Sequence, residues 1–202
     1  MTHPTDVLAW WFGDWDDQQP LASHDAQTHR WWSGSPEADQ QVRDAWTGLH
    51  AAAVAGSLER WRETTTGRLA LLLLLDQGSR VIGRGSAEAF AHDPAARAVC
   101  DQAIAAGDET LLRPIELAFL YLPLMHSESL ADHERATLGY ERLAAATADT
   151  ARSGYYSMVL NFQHRHRAII ERFGRYPHRN QLLGRASTPE ELEFLSQPGS
   201  SF

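Results

Sequence analysis

The chemistry open to this 202-residue chain is set by ten histidines, 26 acids, one cysteine and 18 arginines, with no lysine. Without lysine there is no Schiff base, no lysine general base and no Walker-type phosphate loop. Cys100 stands alone, which excludes an intramolecular disulfide and a cysteine-rich zinc site. A metal held on a helix wants His-x-x-x-His or Glu-x-x-His, so that both ligands share a face. Neither spacing occurs, and His164 and His166 point to different sides of a helix. The expectation is therefore no metal and no cofactor.

Acid–base work by histidine remains. His126 and His166 are the candidate bases, with Arg80 or Arg179 available to hold an anion. Asp76 and Arg80 lie four apart and can pair along one helical turn, or serve as base and anion anchor. Ser127 sits between His126 and Glu128, but adjacent helical residues do not face one another, so the tripeptide is not a catalytic triad by itself. There is no Gly-x-Ser-x-Gly elbow. Gly83-Arg84-Gly85 lacks the third glycine and the preceding strand of a dinucleotide site.

The densest polar stretch is Arg172-Phe173-Gly174-Arg175-Tyr176-Pro177-His178-Arg179-Asn180, followed by Leu183-Gly184-Arg185. One reading is a helix end whose arginines satisfy orphan carbonyls and the negative end of the helix dipole. The other is an anion-holding turn beside a pocket. Charge favours a tie to the rest of the molecule. Residues 1–60 and 61–150 carry −6 and −5, and residues 151–202 carry +3, within a total of −8. Arg175 or Arg179 is expected close to Asp76 or Glu128. The acidic body argues against nucleic acid as a partner. The longest apolar run, Leu69–Leu75, is far short of the roughly 20 residues of a membrane span. With no signal peptide at MTHPTDVLAWWFG, a cytoplasmic protein is expected. The sequence sets no oligomeric state.

These residues must be positioned by helices, because the periodicity is helical throughout. Ser35-Pro36-Glu37 caps a first helix that Gly56 ends, and Leu69–Leu75, apolar all round, marks a central one. Asp93-Pro94 opens a third that runs to Gly107. Arg113-Pro114 opens a fourth, which Pro123 kinks or ends. Ser129 can cap a fifth. A sixth spans roughly 154–173, and the capping box Thr188-Pro189-Glu190-Glu191 opens a last short one. Asp14–Ser35 is either an ordered loop or the seat of a short helix. Trp10, Trp11, Phe12, Trp31 and Trp32 read as packing residues, with an aromatic ligand cage as the lesser alternative. The fold class is all-α: one domain, residues 1–202, a compact helical array.

The arginine turn resembles the bacterial domain of unknown function 924 family. So do Leu75-Asp76-Gln77, Arg80, Arg84-Gly85, Ala89-Phe90-Ala91, Asp93, Tyr121-Leu122-Pro123, His126-Ser127-Glu128, Asp132, Thr188-Pro189-Glu190-Glu191-Leu192 and Phe194-Leu195. The resemblance covers nearly the whole chain and implies a tetratricopeptide-like α-α superhelix. It implies no reaction. The family's run after Leu-Asp-Gln is Phe-Pro-Arg-Asn-Ile-aromatic-Arg-Gly, whereas here Gly78, Ser79, Val81 and Gly83 replace the larger or stiffer residues. Thr137 and Gly139 replace large apolar residues, and Met125 replaces a glutamate. Such losses arise by drift, or by remodelling of a pocket, natural or engineered. The second reading places Gly78, Gly83 and Gly139 around one shared space and makes a small molecule the partner. Its ligand residues would be Asp76, Gly78, Ser79, Arg80, Val81, Gly83, Thr137, Gly139, Phe162, His178 and Arg179. The function expected first is small-molecule binding. An acid–base or hydrolytic enzyme using His126 or His166, and a peptide-binding helical scaffold, are the alternatives.

Overall fold

The computed structural model describes residues 2–22 and 25–200. All the regular elements among them are helical: α1 Pro4–Phe12, α2 Ala26–Trp32, α3 Pro36–Val54, α4 Thr65–Leu73, α5 Ser79–Ile82, α6 Glu88–Ala91, α7 Asp93–Ala105, α8 Pro114–Leu120, α9 Leu122–Met125, α10 Leu130–Ala146, α11 Ser153–Phe173 and α12 Pro189–Leu195. Single turns of 3₁₀ helix occur at Glu59–Glu63, Asp108–Thr110 and Pro177–Arg179. The all-α array expected from the periodicity is what the chain forms. The stretch 14–35 contains α2, and its Ser23 and His24 lie outside the described residues.

Local chemistry sets most boundaries. The Ser35 hydroxyl accepts from the Ala38 amide, and Thr188 and Glu191 exchange the two bonds of a capping box. Gly174 ends α11 in the left-handed region at φ 65°, where a side chain would be strained. Pro123 ends one helix and starts another, as its missing N–H requires: α8 stops at Leu120 and α9 restarts at Leu122. Ser129 does stand at the start of α10, but its side chain makes no cap bond; the Ser127 hydroxyl accepts the Ser129 amide instead, at 3.1 Å.

Leu69–Leu75 forms the centre of the core, and α4 packs on α1, α7 and α8. Beside it Trp11 lies 4.6 Å from Trp46, and Trp31 4.9 Å from Phe119, so these aromatics pack on one another rather than around a ligand. α10 and α11 form a hairpin, and α9 is wedged among α7, α10 and α11.

The central helix does not run straight through. Leu74–Gly78 widens into a turn of π-helix between α4 and α5. A π turn costs helix regularity and is found disproportionately where a side chain must be re-aimed for function. Here it carries Asp76.

Candidate functional site

Asp76 is completely buried, and its carboxylate has two partners. The Nδ1–H of His126, the residue that closes α9, donates to Asp76 Oδ1 at 2.7 Å. Gln77 Nε2 donates to Oδ2, also at 2.7 Å. Arg80, one turn on, has Nη2 3.8 Å from Oδ1. Burial alone would raise the Asp76 pKa. The charge and hydrogen bond of His126, with Arg80 and Gln77, outweigh it and hold the carboxyl at about 2. An ionised carboxylate can only accept, so the His126 proton facing it sits on Nδ1. The ring geometry then directs Nε2 away from Asp76.

A ring of contacts continues from this pair. Arg80 Nη1 lies 2.7 Å from Asp93 Oδ1, at the start of α7, and also donates to the Ala89 carbonyl. Arg179 Nη1 donates to Asp93 Oδ2 at 3.1 Å, and its Nη2 to the backbone carbonyl of His126 at 2.9 Å. Both guanidiniums lie against Phe90, at 5.0 Å and 4.6 Å from the ring. His126 is thus fixed at its side chain by Asp76 and at its backbone by Arg179.

His126 forms part of the wall of an open cleft of ≈ 380 Å³, together with Phe90, Asp93, Pro94, Arg97, Ser127, Glu128, Arg179 and Leu183. That volume is at the small end of the range for metabolite sites. Ser127 is buried in this wall and its hydroxyl is fully hydrogen-bonded. Its hydroxyl donates to Asp132 Oδ2 at 2.6 Å and accepts from Arg97 Nη1 at 3.2 Å as well as from the Ser129 amide.

His166 and His178 stand near this ring without sharing its role. They approach the Tyr176 ring to 5.8 Å and 5.4 Å, and His166 lies 6.5 Å from His126. His166 Nδ1 donates to the Phe162 carbonyl at 2.7 Å. Burial pulls the His166 pKa down to about 3; burial, with Arg179 and Arg80, pulls that of His178 to about 4. Among the described residues no group of three or more His, Cys, Asp or Glu is placed to hold a metal ion, and no helix is long and apolar enough to cross a membrane.

The structure gathers Asp76, Arg80, His126 and Arg179 and disperses the other expected site residues. The shared space around Gly78, Gly83 and Gly139 is not formed, because each position is filled by a different neighbour. A Cβ on Gly78 would meet His50 and Trp46 at 3.3 and 3.7 Å, one on Gly83 the backbone of Ala89, and one on Gly139 the Tyr121 ring at 2.7 Å. Ser79 donates to the Leu75 carbonyl and accepts from His50 Nε2 at 2.9 Å, while the buried Val81 offers its carbonyl to Arg43. Thr137 donates to the His133 carbonyl and accepts from the buried Gln163. Phe162 lies under the Arg165 guanidinium at 5.5 Å. None of these seven lines the cleft.

The arginine turn is joined to the central helices and, as expected, Arg175 and Arg179 both lie within electrostatic range of Glu128, although their direct bonds go elsewhere. Arg179 takes Asp93, Arg185 holds Glu128 with two bonds of 2.7 and 2.9 Å, and Arg175 pairs with Glu191 at 2.6 Å inside the C-terminal segment. Asp93, Arg97 and Phe90 were not named as site residues from the sequence. Asp93 and Phe90 belong to the strings that carry the family resemblance, whereas nothing in its alanine-rich stretch marks Arg97.

Residues 7–199 match the family model described as a bacterial protein of unknown function, DUF924. No curated protein matches the chain. Among solved structures, a protein of unknown function from Agrobacterium tumefaciens, ATU0120, is 32% identical and superposes with a TM-score of 0.76 over 95% of this chain and 96% of that one. With almost its full length inside the family model, and a relative of the same shape, the chain belongs to the DUF924 family of bacterial proteins.

Proposed function

We propose that the cleft binds a small organic molecule and that His126, oriented by Asp76, exchanges a proton with it. The observation that carries this reading is the 2.7 Å bond from His126 Nδ1 to a carboxylate with no solvent exposure, at the wall of a metabolite-sized cleft. A carboxylate in that position fixes the imidazole tautomer and stabilises the imidazolium formed when Nε2 takes a proton. The π turn that presents Asp76 and the Arg179 clamp on the His126 backbone support the same reading. Hydrolysis through a serine nucleophile is not part of it, because the buried Ser127 oxygen already accepts from Arg97 and the Ser129 amide. The cleft volume suits a metabolite better than a peptide segment, and the net charge of −8 supports a partner other than nucleic acid.

The test is a ligand-observed NMR screen of metabolite-sized compounds, followed by turnover assays on the binders. Wild type should convert a cleft binder, and His126→Gln should bind it while losing about 10²–10⁴-fold in rate. Binders that displace nothing at His126, or a His126→Gln variant with undiminished turnover, would contradict the reading.

A further inference from the structure

The polar groups of the cleft wall differ in how far they are already used. Asp93 Oδ1 is ion-paired with Arg80 at 2.7 Å, and Oδ2 accepts from Arg179. Glu128 receives two bonds from Arg185 and one from the Tyr176 amide. Asp132, behind the wall, is bonded by Ser127 and Arg135. A cationic ligand would find each of these carboxylates already ion-paired with an arginine. Arg179 gives Nη1 to Asp93 and Nη2 to the His126 carbonyl, and its remaining nitrogen, Nε, is buried away from the cleft opening.

Arg97 is different. Its side chain is 36% exposed, it makes one bond of 3.2 Å to Ser127, and its Nε stands 3.7 Å from Asp132, beyond hydrogen-bond reach. Most of the five donors of a guanidinium fork therefore remain for a ligand. Through Ser127, the fork is tied to the residue next to His126. Phe90, Pro94 and Leu183 supply apolar wall alongside.

Resting on the reading above, we propose that the cleft's ligand class is small monocarboxylates with an apolar body, and that Arg97 is the residue that selects the carboxylate. A planar guanidinium matches a carboxylate edge bidentately. A single charge is favoured over a dianion because Arg97 is already partly balanced by Asp132 at 3.7 Å, and Arg179 by Asp93. The carboxylate seats on Arg97, the apolar body lies along Phe90 and Leu183, and His126 is left for the proton.

The test uses phenylacetate and hexanoate, their primary amides, and phenyl phosphate, followed by ¹H–¹⁵N NMR on wild type, Arg97→Gln, Arg97→Lys and His126→Gln. Both carboxylates should shift the Arg97 side-chain and Ser127 amide signals saturably. The amides should bind at least about tenfold more weakly, as should the acids to Arg97→Gln, with Arg97→Lys restoring part of the loss. His126→Gln should retain the binding. Amides that bind as well as acids, an Arg97→Gln variant with unchanged affinity, phenyl phosphate binding more tightly than the carboxylates, or no binding by either acid would each overturn the proposal. If the acids bind through Arg97 but no carboxylate binder depends on His126 for turnover, the anion site stands and the acid–base reading falls.

Discussion

Asp76 and His126 stand fifty positions apart in the chain and are joined by a 2.7 Å hydrogen bond. One lies on a π turn inside the central helix, the other at the end of a short helix that Pro123 starts. The carboxylate serves two donors at once, His126 and Gln77. Asp76→Asn leaves one acceptor for two donors, so either the histidine tautomer is lost or a buried amide goes unpaired. Turnover of a cleft ligand should fall by about 10²-fold or more, at a stability cost of roughly 1–3 kcal/mol. Steady-state kinetics with a thermal melt checks both; full activity in this variant would remove Asp76 from the mechanism.

Stability should decline steeply on mild acidification. Burial lowers the pKa of His50 and His133, and takes His166 from its ordinary 6.5 to about 3 and His178 to about 4. Below pH 6.5 the unfolded chain binds protons at these sites and the folded chain does not, so each proton favours unfolding. The stability is complete above about pH 6.5 and is lost as pH falls toward the folded values, at up to about 1.4 kcal/mol per pH unit for each histidine. Asp76, held at about 2 rather than 3.8, adds a further loss between those two values. Melting curves should show Tm dropping by roughly 5–10 °C between about pH 7 and pH 5, with a shallower drop in His166→Gln. A flat profile would mean that the histidines are not buried as described.

Glycine replacements should split in sign. Gly48, inside α3, has open space where a Cβ would go, so Gly48→Ala should stabilise by about 0.5–1 kcal/mol. Gly139, inside α10, would drive a Cβ to 2.7 Å from the Tyr121 ring, whose hydroxyl is fixed to Glu109 at 2.5 Å. Gly139→Ala should therefore cost about 1–3 kcal/mol despite the better helix former. Chemical denaturation of the two variants decides it, and stabilisation by both would show that Tyr121 yields.

This is also where the sequence misled. Lost volume at Gly78, Gly83 and Gly139 pointed to a cavity, yet His50, Trp46, Ala89 and Tyr121 occupy that volume. A glycine in a helix says that something is close or that something is missing, and only the neighbours distinguish the two. Helix starts and ends were legible because caps are local: Ser35, Thr188, Gly174 and Pro123 each act within one turn. The π turn was not legible, since its widening satisfies packing around Asp76 rather than a spacing rule. Asp76, Arg80, His126 and Arg179 could be named from residue type and family strings. The Asp76–Arg80 pair is legible too, from its four-residue spacing; the His126–Asp76 and Arg179–Asp93 pairs are not, because they join residues 50 and 86 positions apart. Arg97 carried no mark at all until α7 turned it into the cleft.

Away from the cleft, Arg68 and Asp108 form a buried pair, with Nε to Oδ2 at 2.6 Å and Thr65 also bonded to the carboxylate. Asp108→Ala should cost about 3–5 kcal/mol, because a buried guanidinium loses its counter-ion. Binding in the cleft should be unaffected at temperatures where the variant is folded. Denaturant melts and an NMR titration with phenylacetate check the two halves separately, and a stability change under 1 kcal/mol would contradict the first.

The imidazole ¹⁵N spectrum of His126, recorded in wild type and Asp76→Asn with and without phenylacetate, decides whether Asp76 orients the ring toward a bound acid. The ring should carry a slowly exchanging Nδ1 proton shared with Asp76. The Nε2 signal should shift when the acid binds, and the Nδ1 proton should lose its protection in Asp76→Asn. A wild-type ring protonated on Nε2 alone, or an Nε2 signal indifferent to a bound acid, would contradict that orientation.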